Sequence, residues 1–591
     1  MARNKYDIDE TLEAKFDMGR LRHALRYTLK YALPLTITLI LSAASSVINL
    51  IGPLLIKDVT DKYIPEKDIN GMIKVGITYI FIIVFTTLFN AIRGYLTNYA
   101  GQHIVADMRH DLFAHLQKLP FSYYDGRPHG KILVRVTNYV NEVADFLTSG
   151  LVNFVIDVFS IIIIMLFMLS LDPLPALITI MGIPFIAIVV GIIKPLQHKA
   201  KRTYNNKSAN YHAYLNESIT GIRITQVFSR ENFNQEILNR LAGENKSAWM
   251  KRVRLQFLVP VFIDNISIIF TCILYYVSAI LLNQGTMMLG TLLAMTRYAG
   301  RFWAPIINIG NLYSELAEIG AYLERIFETM DEPVDIQSLP GSKEYDIKGD
   351  VSFKDVSFEY EKGRTILHEI CFDLKNGDNI ALVGPTGSGK TTIVNLISRF
   401  YEVTNGNIFI DGKDIREYTI ASLRSQMGIM LQDTFLFSGT VRDNIRYGNL
   451  EATDEEIEQA AKAVQAHDFI ISLSNGYDTE ISEQGQSLSA GQRQLLSFAR
   501  TLVSHPKILI LDEATSTIDT QTEKLLQEGI KVLMKGRTAF MIAHRLSTIR
   551  SCDRIMYIEN GNIAETGSHE ELMEKKGLYY NLYTSQLEEI E

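Results

Sequence analysis

Cysteine is scarce in this sequence. Only three cysteines are present among 591 residues, and they stand far apart at Cys272, Cys371 and Cys552. No C-x-x-C pair occurs, so the chain has neither a disulfide framework nor the ligand spacing of a zinc site. A large excess of one charge is also missing, because the formal net charge is −8 over the whole chain. This balance gives no indication of a nucleic-acid partner.

The amino terminus lacks the apolar core of a signal peptide. Its first twenty residues are polar and include several acids. Residues 18–30 then predict a basic amphipathic helix, in which Leu21, Leu25 and Leu29 recur at four-residue spacing among arginines. Such a helix is typical of the headgroup layer of a membrane, and an ordinary surface helix is the alternative.

Long apolar runs, by contrast, are abundant in the first half of the chain. Six are present, at 31–56, 73–92, 148–171, 174–194, 257–282 and 286–309. Each has about the twenty residues that a helix needs to cross a bilayer. Residues 31–330 are therefore predicted to form a membrane domain of six transmembrane helices, which follows a cytoplasmic amino terminus and surface helix at 1–30.

The connections between these runs predict the orientation of the domain. The loops at 93–147 and 194–256 are long and basic, whereas the connection at 58–70 is short and slightly acidic. Basic loops stay on the cytoplasmic side, so both long loops and both termini are expected inside the cell. The segments 105–119 and 208–228 have helical patterns, which indicates that the crossing helices continue into the cytoplasm.

The texture of the sequence changes after about residue 330. Residues 331–349 are polar and contain proline and glycine, as is typical of a linker. From 350 to 591, short strand-like segments alternate with helical ones. This pattern predicts an α/β domain with a mostly parallel core sheet and an antiparallel part at its start.

A phosphate-binding loop is predicted between a strand and a helix of the second domain. The sequence GPTGSGKTT fits the pattern G-x-x-x-x-G-K-T. Backbone N–H groups of such a loop wrap the phosphates of a nucleotide. Lys390 is expected to reach the β- and γ-phosphates, and Thr391 to coordinate Mg²⁺. The candidate ATP-binding residues of this loop are Gly384, Pro385, Thr386, Gly387, Ser388, Gly389, Lys390, Thr391 and Thr392.

Two carboxylates end a second apolar strand, ILILDE at 508–513. Asp512 is expected to hold Mg²⁺, directly or through water, and Glu513 to polarise the attacking water. The alternative is that both acids cap the helix that follows. The phosphate loop upstream favours the catalytic interpretation.

The segment LSAGQRQLLSFAR at 488–500 resembles the signature sequence of ABC transporters. The resemblance extends over almost the whole chain and implies further roles. By this resemblance Tyr360 stacks on adenine, Gln432 senses Mg²⁺ and the membrane domain, and His544 holds the γ-phosphate. The start of the signature helix, with Ser489, Gly491 and Gln492, faces the γ-phosphate of ATP bound by a second subunit.

The order of domains resembles an exporter-type half-transporter, similar to bacterial multidrug exporters. This implies a membrane α-helical domain plus an α/β P-loop nucleotide-binding domain, in the cell membrane with the nucleotide domain in the cytoplasm. It also implies ATP-driven export by alternating access, with ATP and Mg²⁺ as cofactors and membrane lipids around the chain. Short coupling helices are expected near 124–129 and 220–224. A soluble ABC ATPase is excluded by the six apolar runs.

The cargo is left open by the sequence. An amphiphilic, drug-like compound is favoured, and a lipid flippase with the same architecture is the alternative. Asp157 and Asp264 lie in predicted crossings, where they either face a cavity that attracts cationic amphiphiles or pair with Arg297 or Arg301.

The partner subunit is a second open question. The signature reads LSAGQ where LSGGQ is usual in the family, so Ala490 replaces a glycine. The loop expected to cross to the other subunit reads STID where SALD is usual, with Thr517 and Ile518 departing. These departures favour a heterodimer over a homodimer.

Overall fold

The computed structural model describes residues 18–127, 129–430, 434–482, 485, 487–512, 520–542 and 546–588. They form two compact units. The first unit takes the described residues up to Lys118 and those from Arg127 to Glu332. The second takes Leu119–Gly126 together with the described residues from Pro333 onward. A segment of eight residues from the first half of the chain is thus built into the second unit.

Helices make up the first half of the chain. They are α1 (Met18–Leu29), α2 (Ala32–Asp58), α3 (Ile69–Leu116), α4 (Phe121–Asp125), α5 (His129–Val134), α6 (Val140–Asp145), α7 (Leu151–Leu171), α8 (Pro173–Ile180), α9 (Gly182–Thr220), α10 (Ile222–Val227), α11 (Glu231–Asn283) and α12 (Leu289–Met330). Wide helical turns at Val59–Tyr63, Arg135–Tyr139 and Phe146–Gly150 continue the helices next to them. The helix α4 belongs to the second unit and the others to the first.

Within the described part of the chain, five helical stretches are long and apolar enough to cross a membrane. They are Ala32–Tyr63, Ile69–Leu116, His129–Leu171, Pro173–Thr220 and Glu231–Asn283. The sixth predicted run lies in α12, whose apolar part also contains Arg297 and Arg301 and is therefore less apolar. The prediction of six membrane helices in an exporter-type arrangement agrees with these helices.

Several of these helices are longer than a bilayer is thick. The helix α3 has 48 residues and α11 has 53. At 1.5 Å per residue they extend for about 70 and 80 Å, against a hydrocarbon core of about 30 Å. The predicted continuation of the crossing helices beyond the membrane is therefore confirmed.

The helix α1 packs through a different face from the predicted stripe of leucines. Its buried residues are Leu21, Ala24 and Tyr27, whereas Leu29 is exposed. The Tyr27 hydroxyl donates to Asp111 Oδ2 of α3 over 2.9 Å. The predicted helix is therefore present, its packed face includes this polar anchor, and its place in the headgroup layer stays a prediction.

The described residues of the second unit form twelve strands in three sheets. The strands are β1 (Val351–Glu361), β2 (Arg364–Leu374), β3 (Asn379–Val383), β4 (Asn405–Ile410), β5 (Lys413–Asp414), β6 (Met427–Met430), β7 (Gly439–Thr440), β8 (Glu480–Ile481), β9 (Ile508–Asp512), β10 (Thr538–Ile542), β11 (Arg554–Glu559) and β12 (Asn562–Gly567). The largest sheet has the order β12-β11-β3-β10-β9-β6, with parallel pairing throughout except at the β11–β12 edge. An antiparallel sheet has the order β2-β1-β4-β5. The predicted α/β domain with a mostly parallel sheet is confirmed.

Besides α4, ten helices are found among the described residues of this unit. They are α13 (Lys390–Ile397), α14 (Ile420–Ser425), α15 (Val441–Arg446), α16 (Asp454–Ala463), α17 (His467–Ser472), α18 (Ala490–Val503), α19 (Thr520–Met534), α20 (Leu546–Arg550), α21 (His569–Lys575) and α22 (Leu578–Glu588). The central strands β3, β9 and β10 are almost entirely buried. Their continuous apolar sequences follow from this burial, because a parallel sheet is covered on both faces.

Candidate nucleotide-binding site

The candidate site lies at one edge of the parallel sheet. The strands β3, β10, β9 and β6 are neighbours, and their last residues are level, with Leu382 beside Ile542, Ile542 beside Asp512 and Met430 beside Leu511. The phosphate loop follows β3, and Asp512 ends β9. Since neighbouring strands are about 4.8 Å apart, these two elements are separated by about 10 Å across β10.

The phosphate loop requires glycine at two positions. Gly384 has φ +138° and Gly389 has φ +110°, values that side chains other than glycine rarely adopt. A Cβ at Gly384 would overlap the carbonyl oxygen of Ile558, and one at Gly389 would lie 2.6 Å from Leu367 Cδ2. The loop is therefore held against the sheet by contacts that leave no space for a side chain.

Lys390 begins α13 and folds back over the loop. Its Nζ donates to the carbonyl oxygens of Gly384, over 2.8 Å, and Pro385, over 2.9 Å. The residue is 7% exposed, and burial lowers the pKa of its ammonium group. Next to it, the buried Ser388 hydroxyl has no hydrogen-bond partner within the described part of the chain. A buried cation and an unpaired hydroxyl beside a helix amino terminus fit a bound polyphosphate.

Two of the three predicted Mg²⁺ ligands are described. Thr391 is exposed in the first turn of α13, and Asp512 is half-buried at the end of β9. The negative charge of the nearby Asp512 carboxylate raises the pKa of Lys390 and so partly offsets the effect of burial. A hydroxyl and a carboxylate are oxygen ligands of the kind that Mg²⁺ prefers, so the described donors fit this ion.

Tyr360 stands near the end of β1 with a ring that is partly open to solvent. It is 46% exposed, and its hydroxyl lies 3.2 Å from Thr392 Oγ1 in α13. The ring meets Phe358 and Tyr401 edge-on, with centroids 4.7 and 5.0 Å away and interplanar angles of 87° and 90°. The exposed ring surface next to α13 is available for stacking on a nucleotide base.

The signature segment starts the helix α18 with a reciprocal cap. The Ser489 side chain accepts from Gln492 N, and the Gln492 side chain accepts from Ser489 N over 2.9 Å. Ser489 and Ala490 are exposed, whereas Gly491 is buried. This capping leaves the first turn of α18 at the surface, where its N–H groups favour an anion.

Two residues of this region were missed by the sequence reasoning. Tyr401 contacts Tyr360. In the sequence it is marked only by its aromatic side chain and its position shortly after α13. Arg500 of α18 donates to the carbonyl oxygens of Asn444, over 2.8 Å, and Phe435, over 2.9 Å. Burial lowers the pKa of this arginine. Through these bonds Arg500 connects the signature helix to a segment that follows Gln432 in the sequence.

Several predicted residues lie outside the described part of the chain. They are Gln432, Glu513, Thr517, Ile518 and His544. The strands before Gln432, Glu513 and His544 are β6, β9 and β10, which end at the edge that carries the phosphate loop.

Comparisons with known proteins agree with this architecture. Residues 35–306 match the family model of the ABC transporter transmembrane region, and residues 367–516 match the model described as ABC transporter. The uncharacterized ABC transporter ATP-binding protein YknV of Bacillus subtilis (strain 168) is 39% identical over 588 residues, which cover 98% of this chain and 97% of that protein. The chain belongs to the ABC transporter family.

A second relative and a solved structure place this ABC transporter among exporters. A candidate multidrug export ATP-binding/permease protein, YgaD of Bacillus subtilis (strain 168), is 36% identical over 96% of this chain and 100% of its own length. The structure of a bacterial Atm1-family ABC exporter with ATP bound matches with a TM-score of 0.80 and 27% identity, over 95% of this chain and 98% of that one.

Membership of the exporter type establishes the general activity. The chain is an ATPase whose hydrolysis is coupled to transport. It is a multi-pass protein of the cell membrane with its nucleotide-binding domain in the cytoplasm. ABC exporters work as dimers, so a second subunit is required.

The close approach at Gly384 generates the first prediction. Substitution Gly384→Ala places a methyl group against the Ile558 carbonyl and is expected to weaken ATP binding by about tenfold or more. Titration of a fluorescent ATP analogue measures this, with thermal unfolding as a check on the fold. Gly412→Ala is the matched control, because Gly412 has φ +76° but open space around it. Wild-type ATP affinity in Gly384→Ala would show that the loop does not need this approach.

Proposed function

We propose that this chain exports amphiphilic, drug-like compounds by alternating access, as one subunit of a dimer. A polar cavity of about 540 Å³ within the helical unit carries this proposal. It lies among α3, α7 and α12, and the residues that line it are Arg93, Asp145, Ser149, Gly150, Asn153, Phe154, Ile156, Asp157, Asn308, Ile309, Asn311, Leu312 and Glu315. A concave site in which polar and charged side chains converge can bind a small molecule through hydrogen bonds and charge.

The charge of the cavity favours a cationic compound. Asp145, Asp157 and Glu315 contribute three carboxylates, and Arg93 is the one basic residue in the lining. Arg93 donates to Asn153 Oδ1, and Asp157 accepts from Asn308 Nδ2 over 3.4 Å. The carboxylates therefore outnumber the positive groups and favour a positive ligand.

The four ionisable residues of the predicted crossings differ in their surroundings. Among the described residues, no ion pair joins Asp157 or Asp264 to Arg297 or Arg301. Arg301 Nη1 donates to the Asn49 carbonyl oxygen over 2.6 Å, and Asp264 and Arg297 are exposed. This favours the cavity interpretation for Asp157, whereas Asp264 does not line this cavity.

Relatives add support to export of drug-like compounds, since YgaD is named for multidrug export. A lipid flippase is the second candidate. A zwitterionic lipid headgroup would find both Arg93 and the carboxylates in the same cavity. The two candidates differ in the compounds that stimulate ATP hydrolysis.

The proposed roles in ATP hydrolysis follow from the residues at the sheet edge. Lys390 and the N–H groups of residues 384–392 hold the phosphates, and Tyr360 stacks on the base. Thr391, Asp512 and Gln432 hold Mg²⁺, which when bound neutralises developing phosphate charge. Glu513 orients the water and His544 contacts the γ-phosphate, as positioning and electrostatic stabilisation require. The first turn of α18, with Ser489, Gly491 and Gln492, serves the ATP of the other subunit.

The helix α10 supports assembly with a second subunit. It overlaps the coupling helix predicted at 220–224, and α4 overlaps the first residues of the one predicted at 124–129. Around α10, Ile222, Ile224, Val227 and Phe228 are exposed in the single chain. A contiguous apolar surface of this kind is typical of an interaction site. We propose that a nucleotide-binding domain covers it in the dimer.

The composition of the dimer is proposed to be heteromeric. Ala490 is exposed in the first turn of α18, where the family usually has glycine. Its methyl group would lie at the surface that approaches the phosphate of the opposite site. The residues that this chain supplies to its own ATP site match the family pattern, and the elements that it supplies to the opposite site depart from it at Ala490, Thr517 and Ile518.

The role of Glu513 generates a prediction. Glu513→Gln is expected to retain ATP binding and to slow hydrolysis by about a hundredfold or more, because the water loses its base while the phosphate loop is unchanged. Single-turnover hydrolysis and nucleotide titration measure the two effects separately. Glu559→Gln, an acid at the end of β11 in the same sheet, is the matched control. Near wild-type turnover in Glu513→Gln would remove Glu513 from this role.

The charge of the cavity generates another prediction. Asp157→Asn is expected to raise the half-stimulating concentration of cationic amphiphiles by about fivefold or more, and to leave neutral compounds unaffected. The measurement is stimulated ATPase activity in nanodiscs across matched cationic, neutral and lipid compounds. Asp264→Asn is the control. An equal shift for cationic and neutral compounds contradicts the charge argument, and stimulation by lipids alone favours the flippase.

The partner subunit can be tested by purification. This chain, expressed with the product of a neighbouring half-transporter gene, is expected to form a stable complex with stimulated ATPase activity. Expressed alone, it is expected to lack that stimulation. A stable complex of this chain alone, with full stimulated activity and transport, would overturn the heterodimer.

A further inference from the structure

The helix α4 is built into the compact unit that contains the nucleotide site. Its chain neighbours α3 and α5 belong to the other unit. Within the second unit, Phe121 of α4 packs on Phe400 with ring centroids 4.4 Å apart. The Asp125 carboxylate at the end of α4 accepts a hydrogen bond from the Tyr401 hydroxyl. Residues directly after α13 therefore hold α4 by one aromatic and one polar contact.

Tyr401 makes an edge-to-face contact with Tyr360, the residue proposed to stack on the base. Its centroid lies 5.0 Å from that of Tyr360 at an angle of 90°, and 5.7 Å from that of Phe358. Tyr360 in turn approaches Thr392 of the phosphate loop. Contacts thus run without a gap from Thr392 through Tyr360 and Tyr401 to Asp125.

The backbone before Tyr401 is fixed in an unusual conformation. Arg399 has φ +50° and is 1% exposed. Its Nε donates to Glu402 Oε1 over 2.8 Å, and its carbonyl oxygen accepts from Arg424 Nη2 over 2.7 Å. A buried left-handed arginine persists only where its surroundings hold it. The direction in which Tyr401 leaves α13 is therefore set by the fold.

We propose that Tyr401 is the positioning residue that links the base subsite to α4. Its ring holds Tyr360 in the orientation that stacks on the base, and its hydroxyl holds α4 through Asp125. A base that orders Tyr360 orders Tyr401 and α4 with it, and by linkage a displacement of α4 changes the base subsite. This inference rests on the proposed role of Tyr360. Burial and the Asp125 carboxylate both raise the pKa of the Tyr401 hydroxyl, which keeps it a hydrogen-bond donor.

The test separates the hydroxyl from the ring of Tyr401 in the full transporter in nanodiscs. Tyr401→Phe keeps the ring and loses the bond to Asp125, as does Asp125→Ala. Both are expected to retain the KM for ATP and to reduce stimulation of kcat by a transported compound about fivefold or more. Asp125→Asn is expected to remain near wild type, because its amide oxygen still accepts the bond. The double variant Tyr401→Phe with Asp125→Ala is expected to be no worse than either single variant.

The ring has its own test. Tyr401→Leu is expected to raise the KM for ATP, because Tyr360 loses its support. Tyr418→Phe is the matched control, since the Tyr418 hydroxyl is also buried and bonds to the Ile410 carbonyl oxygen in the same unit. It is expected to leave both KM and stimulation unchanged.

Three outcomes would overturn the inference. They are wild-type stimulation in Tyr401→Phe, equal damage in Asp125→Asn and Asp125→Ala, or a wild-type KM in Tyr401→Leu. Tyr360→Ala separates this failure from failure of the proposed base subsite. A wild-type KM for ATP in Tyr360→Ala would show that Tyr360 does not bind the base. A raised KM in that variant, together with any of the three outcomes, would contradict only the link through Tyr401.

Discussion

Backbone hydrogen bonding in lipid constrains the whole design of this chain. A segment that crosses a bilayer has no water to bond with, so it must form a complete helix. ATP is bound and hydrolysed in water, in a domain that needs a sheet edge and a glycine-rich loop. The chain meets both requirements with helices such as α3 and α11, which are more than twice as long as the hydrocarbon core is thick. Stiff helical extensions can transmit a displacement from one medium to the other.

The nucleotide site is arranged by strand order. Neighbouring parallel strands end level with one another, so four separate parts of the chain reach one edge. The strand β3 brings the phosphate loop and β9 brings Asp512, while β10 and β6 end beside them. This arrangement gathers phosphate and metal ligands from positions more than a hundred residues apart.

The sequence predicted best those features that lie within a short stretch of chain. The apolar runs identify the membrane helices because each crossing helix is a single continuous segment. The loop from Gly384 to Thr392 is recognisable because one turn must wrap the phosphates. Features that depend on distant contacts were missed. Tyr401 and Asp125 are 276 positions apart, and no local pattern joins them. The packed face of α1 depends in the same way on the bond between Tyr27 and Asp111, which no local pattern predicts. The surroundings of Asp157 likewise depend on α3 and α12, which only the fold brings together.

The insertion of α4 into the second unit also has a consequence for how the protein is made. The residues of α4 leave the ribosome long before Phe400 and Tyr401, so their docking surface is completed late in synthesis. A fragment that begins at Pro333 would lack α4, because α4 precedes several of the membrane helices in the sequence. Phe400 and Tyr401 would then lose their contacts with it. The boundary of the folding unit is therefore not a boundary in the sequence. The folded unit is complete only when two distant stretches of the chain pack together.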